Sequence, residues 1–162
     1  MYQALSKEFI LAGGCMDIES FDAAAARYPF KVLSGTAEAM EQFLAMAVKD
    51  NEGHAYADFY YPVLKAEEQK RFMKALDERQ REMAENFAVD RQNVYYRLDE
   101  KNLPFLSSIT ARELLFSSFY FVRYKAVVWG NYNMKYPLFC ESEEVLEYYI
   151  VMAGQNGLKA EV

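Results

Sequence analysis

The sequence predicts an α+β fold: a helical N-terminal half packed on a small antiparallel sheet, with a closing C-terminal helix. Three observations point there. Amphipathic runs with recognisable caps fill the first half of the chain. Aromatic and β-branched residues concentrate between Asn93 and Cys140. A capped apolar run, "ESEEVLEYYIVMAG", then closes the pattern. An all-α fold is the alternative, because part of the aromatic stretch can also be written as a helix.

The elements follow in order. Tyr2, Leu5, Phe9 and Ala12 share one helical face, and Gly13–Gly14 ends that run. "SFDAAAARYP" predicts a short helix with Ser20 as N-cap and Pro29 barring its continuation. In "TAEAMEQFLAMAVKDNEG" the stripe Met40, Phe43, Leu44, Ala47 and Val48 predicts a third helix. Glu38 near its start and Lys49 near its end suit the helix dipole. A single long helix is expected from Leu64 to Phe87, free of glycine and proline. Phe72, Leu76, Met83 and Phe87 form its apolar face, and Glu67–Arg71 and Asp77–Arg81 are spaced to pair on its flank.

"NVYYRLDE" has strand composition between Asn93 and the "EKNLP" cluster. Residues 113–140 divide near Arg123–Lys125 into two strand-like runs, "ELLFSSFYFVR" and "AVVWGNYNMKYPLFC". As a strand, the first carries Phe116, Ser118 and Tyr120 on one face and Phe119 and Phe121 on the other. The competing reading is one helix over 111–129, opened by a Thr110–Glu113 capping box and stopped at Gly130. The "RYK" junction offers no residue suited to positive φ, which counts against a tight hairpin. Ser142 caps the last helix, whose face is Val145, Leu146, Tyr149 and Met152. No linker, repeat or low-complexity tract interrupts the 162 residues, so one domain spanning 1–162 is expected.

Composition narrows the chemistry. A net charge of −6 opposes binding to phosphate backbones or anionic lipid, so neither nucleic acid nor membrane is expected as a partner. No long uncharged apolar run and no basic leader appear, and a cytoplasmic location follows by default. Cys15 and Cys140 lie outside any CxxC spacing. "SSFYFVRY" matches the RNA-recognition strand pattern only at Phe119, Phe121, Val122 and Tyr124. It lacks the glycine and basic residue that let bases and phosphate approach. No metal site and no cofactor motif are found.

The single histidine, His54, must serve any histidine-based catalysis. It sits in "DNEGHAYADFYYP", where Asp58 and Tyr60 are the other proton-transfer candidates. Its plain reading is an exposed loop residue after Gly53. Arg123, Lys125 and Trp129 are the ligand-binding candidates, the two cations as anchors for an anion. The aromatic excess, notably Tyr132, Tyr136 and Phe139, points to a self-associating surface. The expected function is therefore non-catalytic: a domain that binds a partner protein or itself, as a homodimer. The alternative is an enzyme or small-molecule-binding protein with its pocket beside the 113–140 segment, using His54, Asp58 or Tyr60.

Overall fold

Seven strands hydrogen-bond into one antiparallel sheet in the computed structural model, which describes residues 1–162. The strands are β1 (Phe30–Ser34), β2 (Ala55–Asp58), β3 (Tyr95–Arg97), β4 (Ser118–Phe121), β5 (Ala126–Trp129), β6 (Lys135–Cys140) and β7 (Lys159–Glu161). Their order across the sheet is β3-β2-β4-β5-β6-β1-β7. The helices are α1 (Lys7–Ala12), α2 (Phe21–Arg27), α3 (Ala37–Asp50), α4 (Ala66–Ala75), α5 (Glu78–Glu85), α6 (Asn102–Ala111) and α7 (Glu143–Gln155). The fold is α+β, with a sheet larger than the sequence suggested, because β1 and β2 come from the helical half and β7 from the C-terminus.

Side-chain alternation divides the sheet into two faces. Ala55, Ala57, Phe119, Phe121, Val128 and Leu138 join the large core under α3, α4, α6 and α7. Tyr120, Val127 and Phe139 point the other way. There, Ile10 of α1, Ala24 of α2, and Cys15 and Met16 between them form a second, smaller core. The aromatic stretch is apolar on both faces because both are covered by the chain itself.

Caps fix most helix starts. The Ser6, Ser20, Thr36 and Ser142 hydroxyls accept the Phe9, Ala23, Ala39 and Val145 N–H groups and open α1, α2, α3 and α7. Tyr2 and Leu5, expected on the first helix, instead precede it and bridge to Phe87 and Tyr95.

The expected 64–87 helix is two helices. Leu76 is extended, and Asp77 caps α5 by accepting the Gln80 N–H at 2.8 Å while Gln80 accepts the Asp77 N–H. Arg81 donates to the Leu76 carbonyl at 2.7 Å and braces the break rather than pairing with Asp77. Glu67 and Arg71 form no ion pair. The apolar face survives the break, since Phe72, Leu76 and Phe87 are all buried.

Residues 113–140 form strands, not a helix. Thr110 sits at the end of α6, where its hydroxyl donates to Leu106 O and accepts the Ser117 N–H. Gly130 is required by a close approach rather than a helix stop: a Cβ there would lie 2.3 Å from the Ser117 carbonyl oxygen.

Candidate functional site

The second face of the sheet is covered only in part, and a cavity of about 410 Å3 opens beside α1 and α2. It sits where β2 ends, β4 begins and β5 ends. Asp58, Ser118, Tyr120 and Trp129 contribute from the strands, and Leu115, Phe116 and Gly130 from the adjoining loops. Tyr60 follows β2, and Ile18 and Glu19 close the rim from the segment between α1 and α2. Strand alternation explains the grouping. Ser118 pairs with Trp129 across β4–β5, and Tyr56 pairs with Tyr120 across β2–β4, so Asp58, Ser118, Tyr120 and Trp129 all share this face.

Asp58 is the polar centre of the cavity, and only 3% of it is exposed. One carboxyl oxygen accepts the Ser118 N–H at 2.8 Å, and the other accepts the Tyr120 hydroxyl at 3.2 Å. Burial pushes its pKa up to about 7, although these two donors favour the ionised form. Burial first, and then the Asp58 charge, push the Tyr60, Tyr95 and Tyr120 hydroxyls upward, so all three stay protonated. Tyr95, the cross-strand partner of Asp58, meets the Tyr120 ring edge-on at 5.8 Å.

One wall is held by strained backbone. Glu113, Asn133 and Met134 adopt positive φ, which non-glycine residues rarely do. The Glu113 carboxylate accepts the Asn133 N–H at 2.8 Å, and the Phe116 and Tyr132 rings meet edge-to-face at 4.7 Å. These contacts tie the loop before β4 to the loop after β5, and so fix Phe116 against the cavity.

The residues expected from the sequence divide sharply. Asp58, Tyr60 and Trp129 meet in the cavity. His54 does not: it lies exposed just before β2, four residues from Asp58. On a strand that spacing is about 13 Å, too far for a proton-transfer pair. Arg123 and Lys125 belong to the β4–β5 turn at the opposite end of the strands, where Arg123 pairs with Glu52 and stacks on Tyr124. Neither can anchor a ligand at Asp58. Tyr136 and Phe139 are buried in the two cores and present no surface to a partner; Tyr132 remains exposed beside Phe116.

Tyr120, Ser118 and Phe116 were missing from the expected site, although they stood together on one face of the predicted strand. Their link to Asp58 needs the β2–β4 pairing, across about 60 residues of chain, and no local pattern encodes that. No group of three or more His, Cys, Asp or Glu residues is placed to hold a metal ion, and no helix is long and apolar enough to cross a membrane. The chain matches no protein-family model, no curated protein and no solved structure, so the chemistry of the pocket itself carries the functional reading.

Proposed function

We propose that this chain is a small-molecule-binding protein and that the Asp58 pocket is its site. One observation carries the reading: a nearly fully buried carboxyl lines an aromatic cavity with no cationic side chain around it. Burying an ionisable group without a countercharge is costly, and such groups concentrate where a ligand or a proton is handled. The cavity also has the size and mixed lining typical of small-molecule sites. A larger cleft between α5 and α6, lined by Asp77, Arg79, Glu100 and Lys101, is a mixed-charge surface groove with no buried polar group.

Binding ranks ahead of catalysis. Asp58 is the one buried carboxyl in the pocket, and its contact to Ser118 runs through the backbone N–H rather than the hydroxyl. No activated nucleophile stands beside it. The self-association favoured by the sequence has less support, since two of its three contact residues are internal.

Trp129 is the only tryptophan and lines the pocket, so its fluorescence reports occupancy. A library of small aromatic compounds with polar heads is expected to contain members that shift Trp129 emission saturably. The shift should disappear in Ser118→Phe, whose ring fills the floor while its backbone N–H still serves Asp58. An equal response in that variant would place binding elsewhere.

A further inference from the structure

We propose that the pocket takes a monovalent organic cation: a small molecule whose ammonium head meets the Asp58 carboxyl in a pocket lined by Tyr60, Tyr120 and Trp129. The inference rests on the pocket being a binding site, and it names the chemistry that the site selects. The lining holds two carboxyl groups, Asp58 and Glu19, and no Lys, Arg or His.

The groups facing Asp58 from the surrounding elements are Tyr120 of β4, Tyr95 of β3, Tyr60 after β2, and Glu19 between α1 and α2. The basic residue on the neighbouring helix, Lys7, is held by Asp17 at 3.0 Å. An anionic ligand would therefore meet only like charge and phenol. A neutral ligand would leave the carboxyl without its missing countercharge. An ammonium supplies that charge, and the lining holds aromatic rings of the kind that attract cations.

The geometry leaves room for this contact. Each Asp58 oxygen accepts one protein donor, from Ser118 N–H or Tyr120 O–H, and a carboxylate has further lone pairs for an incoming N–H. A cavity of about 410 Å3 admits an amine on a single aromatic ring. Because the cation prefers ionised Asp58, binding releases the proton that burial retains, and affinity should rise with pH until Asp58 is fully ionised.

The probes are 2-phenylethylamine, a cation at neutral pH, and its neutral counterpart 2-phenylethanol, followed by Trp129 fluorescence and calorimetry. The amine is expected to bind about tenfold or more tighter than the alcohol at about pH 8, with the preference shrinking toward about pH 5. Asp58→Asn should erase the preference while keeping alcohol binding. Should that variant fail to fold, the pH dependence of wild-type binding decides alone. Tighter binding of the alcohol, or a preference for the amine that ignores pH, overturns the ammonium inference and leaves the pocket as a site. Silence of Trp129 toward both probes and toward the wider library overturns the site as well.

Discussion

Asp58 has almost no contact with solvent, and its two oxygens rest on one backbone N–H and one phenol. Its folded-state pKa, about 7, lies above the ordinary carboxylate value of 3.8. The folded protein therefore holds this proton more tightly than the unfolded chain does. The resulting stability is fully present below about pH 4, declines as pH rises toward 7, and is gone once the folded group also ionises. A shift of that size corresponds to about 4 kcal/mol at most. Asparagine imitates the protonated acid and cannot ionise. Asp58→Asn is thus expected to match wild-type stability near pH 4 and to exceed it by a few kcal/mol near pH 8, on the order of that shift. Urea denaturation at the two pH values checks this, and a variant less stable at both would show that Asp58 serves the fold as an anion. Sequence alone named Asp58 and Tyr60, but as companions of His54. Period-two alternation puts His54 and Asp58 on one strand face, yet a strand is too extended for them to touch.

Among the elements, the β4–β5 hairpin shows how tertiary contacts replace local turn chemistry. The residues from Val122 to Lys125 contain none of the glycine or asparagine that tight turns favour. The turn is held from outside instead. Asn51, fully buried at the end of α3, accepts the Tyr124 N–H at 2.8 Å and donates to Ala47 O and to the Tyr149 hydroxyl. Tyr149 of α7 in turn donates to Tyr124 O at 2.7 Å. One asparagine thus joins α3, the hairpin and α7. Asn51→Ala would strand the Tyr124 N–H and is expected to cost roughly 2–4 kcal/mol. Thermal denaturation measures the loss, and a change below about 0.5 kcal/mol would mean the turn holds without the brace. The same logic explains what the sequence concealed. Serine caps made α2 and α7 legible, an apolar stripe with charges suited to the dipole revealed α3, and the Gly13–Gly14 stop marked the end of α1. The break at Leu76–Asp77 was hidden within a continuous helical period, because Asp77 serves equally well as a surface residue or as a cap. Helix α6 was obscured by Pro104, which falls in the first turn, where its missing N–H has no partner to lose. Strand β1 has five residues and pairs only with distant segments, β6 and β7.

For the molecule as a whole, the two-sided apolar sheet raises the question of what covers its second face. The sequence suggested a second copy of the chain, with Tyr132, Tyr136 and Phe139 at the contact. In the fold, α1 and α2 cover that face: Ile10, 1% exposed, packs among Tyr120, Val127 and Phe139. The Asp58 pocket opens at the edge of this layer, with Ile18 and Glu19 on its rim, so cover and site arise from the same arrangement. Of the remaining exposed apolar side chains, Phe9, Val89 and Tyr132 lie on separate segments, while Met46 and Val151 both line a shallow hollow between α3 and α7. Scattered exposure of this kind is ordinary on a protein surface and does not demand a partner. Light scattering at micromolar concentration is therefore expected to give the mass of one chain, 18.8 kDa. Ile10→Glu provides the complementary test. Unlike Asp58, a carboxylate at position 10 would be buried among apolar groups with no hydrogen-bond donor or countercharge, at a cost of several kcal/mol, so α1 should lift and uncover the sheet. The variant is expected to keep its helix and strand content while its scattering mass rises above one chain. A wild-type mass of two chains would instead return the contact to the exposed residues, and Tyr132→Glu would then be the substitution to dissociate it. If Ile10→Glu stays a folded single chain, the second face does not need its cover, and the apolar sheet is no source of self-association.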